Sequence, residues 1–257
     1  MRRLPWALLG ALVLVQICYP LAADRAPLTV ATVVLGYVFS LTHAWLSRGP
    51  RVAAALVLVV TLGGFLVEAL GVATGFPFGS YSYSGALGPQ LLGVPLIIPL
   101  AWTWMAWPAL LAARRLCRSL VARVGVAAFG LAAWDLFLDP QMVSEGYWRW
   151  LSPTPALPGL PGIPVANYLG WLGFALLVMT LLSLVLGPRL ELSTADDRPA
   201  LALWFWTYAS SVLAHAVFLD LPASAAWGGV VMGLAVVPLA VRLIRRVRVS
   251  AAPRRAA

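Results

Sequence analysis

The stretch LAAWDLFLDPQMVSEGYWRW, Leu131 to Trp150, decides how this chain is read. It places Asp135 and Asp139 at positions i and i+4, at the end of an otherwise uncharged apolar run. At helical pitch that spacing puts both carboxylates on one face. An ionised acid inside or at the rim of a bilayer is expensive, so residues of this kind generally serve a function. For Asp139 a blander reading stays open, because Asp139-Pro140 also suits a helix that stops at the water interface. Asp135 lies a full turn deeper, beside Trp134, and escapes the same cost only by snorkelling to water.

Outward from this stretch the composition is that of a polytopic membrane protein. Hydrophobic residues make up 61% of the 257 and charged residues 11%, with a mean hydropathy of +0.89 that a soluble domain of this length does not carry. Apolar runs long enough to span occur at Leu4 to Ala22, Pro27 to Leu46, Val52 to Leu70, Leu91 to Ala113, Leu120 to Leu138, Asn167 to Gly187, Ala200 to Leu219 and Ala223 to Val241. The expected fold is therefore an all-α transmembrane bundle of about eight helices, a single integral-membrane domain over residues 1–257 with a basic tail at 242–257. Arg2-Arg3 ahead of an apolar run that ends in Leu21-Ala22-Ala23 also fits a cleaved signal peptide, whose removal would leave seven helices.

Every basic residue other than the two histidines is an arginine. In an eight-helix arrangement all of them except Arg25 and Arg149 fall on one side, and the positive-inside rule then places both termini in the cytoplasm. The net charge of +9 reads as a topology signal and as contact with anionic lipid headgroups, not as a nucleic-acid surface. The acids show the opposite bias. Asp24, Glu68, Asp135, Asp139, Glu145 and Asp220 lie on the outer side, whereas Glu191, Asp196 and Asp197 lie in the cytoplasmic loop before the seventh helix. Acid chemistry is thus expected near the outer leaflet. Cys18 and Cys117 fall near opposite faces and cannot pair with one another, and no metal-ligand spacing is visible.

Several segments converge on that outer face. Gly63-Gly64 in the third helix allows close helix contact just before Glu68. The following segment, GVATGFPFGSYSYSGALGPQ from Gly71 to Gln90, is uncharged and broken by glycine and proline. It reads either as a lid or re-entrant loop over a pocket, since irregular backbone at membrane depth must be satisfied by protein or cavity water, or as a surface loop with interfacial Tyr81 and Tyr83. In the fourth helix Pro95 and Pro99 suggest a kink, and Trp102 and Trp104 suit a pocket lining, while Trp107 suits a cytoplasmic aromatic belt. Asn167 has the position of a cap for the sixth helix. His215 lies toward the outer end of the seventh, where Asp220 is a candidate partner. His43 lies toward the cytoplasmic end of the second and reads as a packed residue.

A carboxylic acid enclosed by apolar surroundings stays protonated near neutrality, because desolvation disfavours its charged form, and can then serve as a general acid. An apolar pocket with acids and aromatic faces suits protonation of an isoprenoid double bond, stabilisation of the tertiary cation, and capture of that cation by water. Such a hydration needs no cofactor and no metal. Asp135 is the chemical choice for proton donor, with Asp139 or Glu68 as its partner or as the base that orients water, and His215 as a further participant.

The blocks ending in Glu68, TGFPFGSYSYSGALGPQLLGVPLIIPLAW (Thr74 to Trp102), WDLFLDPQMVSEGYWRW (Trp134 to Trp150) and GIPVANYLGW (Gly162 to Trp171) resemble the membrane carotenoid biosynthesis family. That family includes the carotenoid 1,2-hydratases acting on the acyclic ends of gamma-carotene, lycopene or bisanhydrobacterioruberin. The resemblance implies a multi-pass protein of the cell membrane that adds water across the terminal double bond of an acyclic carotenoid to give a tertiary hydroxyl. It implies site roles for Glu68, Tyr81, Tyr83, Asp135, Asp139 and Asn167; Trp102 and Trp134 are further candidate substrate contacts, read from the aromatic pocket and not from the resemblance. Other carotenoid-synthesising enzymes are candidate partners; nucleic acid is not. The proline-rich region between Trp150 and Gly162 departs from the family pattern and bears on the end group accepted. Three other classes stay open: a prenyltransferase, from the DxxxD spacing of Asp135 and Asp139; a lycopene cyclase, which would use the same protonation while excluding water; and a transporter or carotenoid-binding scaffold, since buried acids also mark ion pathways.

Overall fold

The computed structural model of the chain describes residues 3–191 and 196–251. Arg2, Arg254 and Arg255, three of the arginines used for orientation, lie outside the described residues. Within them the chain forms eight long helices: α1 Leu4–Cys18, α2 Ala26–Arg48, α3 Pro50–Thr74, α4 Ile98–Leu116, α5 Leu120–Ser144, α6 Val165–Glu191, α7 Arg198–Phe218 and α8 Pro222–Ala251. Both α3 and α7 contain a π-helical turn, at Leu56–Thr61 and Ala214–Phe218. Seven of the eight are long and apolar enough to cross a membrane, so the chain is a multi-pass membrane protein of all-α architecture.

The exception is α4, which is the hub of the bundle and packs against α2, α3, α5, α7 and α8. Every residue from Ala101 to Ala113 is buried. A helix sheathed by protein on all sides does not meet lipid, and it tolerates the three tryptophans, two prolines and two arginines that dilute its hydropathy. The expected fourth span, Leu91 to Ala113, is corrected accordingly. Leu91 belongs to a short ribbon of β2 (Gln90–Leu91) and β3 (Val94–Pro95), and the helix starts only at Ile98. Pro95 and Pro99 therefore precede or open the helix, where proline is harmless, and produce no kink. Trp107 is not an interfacial residue either. It is fully buried, and its indole N–H donates to His43 Nδ1 at 3.0 Å. With Nδ1 accepting, His43 Nε2 carries the proton and donates to the Asp196 carbonyl at 3.1 Å, as suits a packed histidine.

Prolines inside helices include Pro108 in α4, Pro140 in α5 and Pro238 in α8, and the first two are bonded from a neighbouring helix. Each of these two lacks an N–H and so leaves the carbonyl four residues earlier without its helical donor, at Trp104 and Leu136. In both cases a serine from another helix supplies the missing bond: Ser40 Oγ donates to Trp104 O at 2.8 Å and Ser224 Oγ to Leu136 O at 2.6 Å. This is how helix-breaking residues survive at membrane depth. Asp139-Pro140 accordingly does not end α5, which runs on to Ser144.

The two ends of α2 mark the two poles of the molecule. At one, Arg25 pairs with Glu145 at 2.6 Å. At the other, Asp197 takes Arg48 at 2.5 Å on one oxygen and Arg115 at 2.7 Å on the other, tying together α2, α4 and the start of α7. The positive-inside rule assigns this arginine-rich pole to the cytoplasm. Burial alone would push the Asp197 carboxyl up, but the two guanidinium groups outweigh it and hold the acid below its usual range.

A carboxyl so depressed contributes stability that is present above its unfolded value, about 3.9, and is lost as the pH falls through the folded one. Asp197→Asn should therefore lower stability by roughly 3 kcal/mol at neutral pH, because Arg48 is left buried without its counter-charge. Thermal unfolding in lipid nanodiscs checks this: the gap between the two proteins should close on acidification below about pH 3.9.

Candidate active site

Glu68 lies on the inner face of α3 between Gly64 and Gly71, four residues before and three after it, and the two glycines clear the approach to its carboxylate. A Cβ at Gly64 would lie 3.2 Å from the Trp102 ring, and one at Gly71 2.6 Å from the Tyr81 hydroxyl. Three donors converge through that space. Tyr81 and Tyr83 donate to Glu68 Oε2 at 2.6 and 2.8 Å, and Trp102 Nε1 donates to Oε1 at 3.1 Å. A carboxylate offers about four lone-pair sites, so Oε1 keeps one open. Burial pushes the Tyr81 and Tyr83 hydroxyls well up, with the nearby Glu68 adding to the effect, so both stay protonated as donors.

The tyrosines reach Glu68 because they lie on a strand. Beyond Thr74 the outer segment folds back over the bundle, and β1 (Tyr81–Tyr83) pairs antiparallel with β4 (Trp148–Trp150) of the segment after α5. Tyr81 faces Trp150, Ser82 faces Arg149 and Tyr83 faces Trp148. Side chains alternate across a strand, so the four aromatic residues turn inward while Ser82 and Arg149 stay exposed. Trp148 Nε1 donates to Asp139 Oδ1 at 3.1 Å, and Trp150 Nε1 to the Phe78 carbonyl at 2.9 Å. One ribbon thus holds both acidic centres.

Asp135 and Asp139 occupy one face of α5 and meet α6 at Asn167. The Asn167 amide nitrogen donates to Asp135 Oδ2 at 2.8 Å and also, in a very short contact, to Asp139 Oδ2. Asn167 stands in the first turn of α6, but its side chain serves this pair of acids rather than a backbone cap. Asp135 is completely buried, and its Oδ1 has no hydrogen-bond partner among the described residues.

A cavity of about 470 Å³ lies against these groups. Glu68, Asp139 and Asn167 border it, together with Tyr81, Tyr83 and the indoles of Trp102 and Trp134. Asp135 does not; it stands behind Asp139. Trp102 stacks on Trp171 with ring centroids 3.7 Å apart, and Trp104 meets Trp134 edge-on at 5.2 Å, so the walls are largely π-faces. On one side the lining reaches Ile17 of α1, Leu21 just beyond it, and Leu213 and Phe218 of α7, all of which are also exposed on the outer surface. The cavity therefore opens to the protein surface between α1 and α7, where Trp206 Nε1 donates to Gln16 Oε1 at 2.7 Å.

His215 borders the same cavity, away from the expected Asp220. Its Nδ1 lies 2.8 Å from Ser224 Oγ and its Nε2 3.3 Å from Gln141 Oε1. Because Ser224 donates its proton to Leu136 O, its oxygen accepts from His215, which puts the ring proton on Nδ1. Nε2 is then an acceptor, and the Gln141 amide satisfies it with its nitrogen turned toward the ring, an orientation the interchangeable amide ends allow. Sequence reasoning passed over Trp148, Trp150, Gln141, Ser224 and Trp171 as site residues. The signal for the first two was present as the aromatic-polar-aromatic alternation of Tyr81-Ser82-Tyr83 and Trp148-Arg149-Trp150.

Comparison with known proteins yields two findings. A family model described as "Carotenoid biosynthesis protein" matches residues 28–240. A bisanhydrobacterioruberin hydratase from Haloarcula japonica is 34% identical over 108 residues, which is 40% of this chain and 37% of that protein. The matched stretch is thus little more than a third of the relative's length. No solved structure matches the chain.

Replacing the shared donor tests the acid pair. Asn167→Leu removes the hydrogen bonds to both carboxylates and should lower stability by about 1–3 kcal/mol. Asn167→Asp, which adds a third carboxyl to the cluster, should be worse. An unchanged melting temperature for both variants in nanodiscs would show that the bridge carries no weight.

Proposed function

Because the chain belongs to the carotenoid biosynthesis protein family, we propose that it is a carotenoid 1,2-hydratase of the cell membrane, working without a cofactor on the acyclic end group of a carotenoid. The observation that carries this reading is the meeting of Glu68, Asp139 and Asn167 at one aromatic-walled cavity that opens to the surface beside two apolar spans. A polyene substrate dissolved in the bilayer enters between α1 and α7 end first, and the cavity holds the end group while the chain trails into lipid.

Two carboxylates that share one amide donor hold a proton between them more cheaply than two charges. Asp139, the member that borders the cavity, transfers that proton to the less substituted carbon of the terminal double bond, breaking its own O–H bond and forming C–H. Asp135, fully buried behind it, serves as the partner that keeps the proton in place. The cation left on the more substituted carbon is stabilised by the indole faces of Trp102 and Trp134 and by the Glu68 carboxylate. Water then forms the C–O bond and releases a proton to the open lone pair of Glu68 Oε1. Exchange through cavity water returns that proton to the aspartate pair. The relative from Haloarcula japonica, named as a hydratase, supports this reaction class. A cyclase would need the same acid but a cavity closed to water, and the polar Gln141–His215 patch on the cavity wall favours water entry.

Expression in a lycopene-producing host should yield a product heavier by one water, read by mass spectrometry; an isomer of unchanged mass would favour cyclisation. Asp139→Asn should cut turnover at least about 100-fold, the usual share of a general acid, with the protein still folded in the membrane. Full turnover in that variant would remove Asp139 as the acid.

A further inference from the structure

The arginine-rich pole holds a second pocket, of about 330 Å³, remote in character from the aromatic cavity. Six arginines line it: Arg48 at the end of α2, Arg114 and Arg115 at the end of α4, Arg118 in the turn that follows, Arg123 of α5 and Arg242 of α8. Among the described residues Asp197 is the acid that lines it. The positive-inside rule calls for arginines on this side of the bilayer, but not for their convergence from four helices on one concavity, where they repel one another.

Several of these guanidinium groups are fixed in place by protein contacts that leave their charge intact. Arg242 Nη1 donates to Leu116 O at 2.6 Å and Arg123 Nε to Cys117 O at 3.1 Å, both at the C-terminal end of α4. Arg48 is the most enclosed, with its side chain 1% exposed and held by Asp197 and by the Trp107 ring, 5.2 Å from the guanidinium carbon. Among the described residues its Nε is nevertheless buried without a hydrogen-bond partner. A buried, charged N–H of this kind lacks an acceptor, and the pocket beside it is larger than one oxyanion needs. Planar guanidinium forks arranged around a concavity match the oxygens of a phosphate group, with two parallel N–H···O bonds per fork.

We propose that this pocket binds a phosphate-bearing anion at the cytoplasmic face. Two sources carry that chemistry, the headgroup of an anionic phospholipid and a free phosphate compound. A basic pocket between transmembrane helices at this depth is where anionic headgroups are recognised. The bound phosphate joins the ends of α2, α4, α5 and α8, whereas Asp197 ties α2 and α4 to the start of α7.

The test uses the full chain in nanodiscs of phosphatidylcholine alone, of phosphatidylcholine with phosphatidylglycerol, and of phosphatidylcholine with inorganic phosphate in the buffer. Thermal unfolding and native mass spectrometry of retained lipid are the readouts. Phosphatidylglycerol should raise the melting temperature and remain bound to the released protein. Arg118→Gln, at an exposed position, should weaken that retention roughly tenfold, the effect of losing one charge-assisted hydrogen bond. Arg118→Gln combined with Arg242→Gln should abolish it. Stabilisation by inorganic phosphate alone, lost in the same variants, would identify a soluble phosphate compound as the ligand. If neither probe stabilises the protein, or if both variants respond as the unmodified chain does, the proposal is wrong. Turnover of the carotenoid site plays no part in either readout, so this test and that of the hydratase reading fail independently.

Discussion

Carboxyl groups enclosed by a membrane bundle must each find donors, and the outer half of this protein is built around that requirement. Glu68 receives two tyrosine hydroxyls and an indole, while Asp135 and Asp139 share one asparagine amide and Asp139 takes a second indole. These donors come from four separate parts of the chain: the segment after α3, helix α4, the segment after α5, and the first turn of α6. Each would be poorly placed without the acids, and the acids would be intolerably desolvated without them. The acids therefore specify how the outer segments dock, in addition to whatever chemistry they perform.

Two of the helix-interior prolines, Pro108 and Pro140, show a related economy. A proline frees a backbone carbonyl, and a serine hydroxyl from a neighbouring helix occupies it. At Pro108 the result is a pin between α4 and α2. At Pro140 the same bond continues into the site, since Ser224, fixed by Leu136 O, sets the proton on His215 and through it the facing of Gln141. A break in the helix one residue after Asp139 is thus joined to the second polar patch on the cavity wall.

Much of this organisation is legible in the sequence, and the parts that are not have physical reasons. Spacing alone puts Asp135 and Asp139 on one face, and the arginine bias orders the poles, because both depend only on helical pitch and charge. The uncharged, broken segment from Gly71 was readable as a covering for an outer pocket, although α3 runs on to Thr74 before that covering begins. Its strand pairing was missed because each partner is only three residues long, too short for a periodic signal unless the two are read together. Asn167 looked like a cap because its position fits one; which way an amide turns depends on neighbours from another helix. The depth of Asp135 behind Asp139 likewise follows from the rotation of α5 against α6, which no local pattern encodes. His215 lost its expected acid to a serine because α7 ends in a π turn that redirects the ring toward α8.

The sheathing of α4 has a consequence for topology. Seven helices among the described residues are long and apolar enough to span, an odd number, and an odd number sets the two ends of a chain on opposite sides of the bilayer. Restoring the one helix that never touches lipid returns the parity to even. The arginines after α4 then come back to the same face as Arg48, where Asp197 joins Arg48 to Arg115. For a bundle wound around a tryptophan-rich central helix, the span most easily overlooked decides which way round every later loop faces.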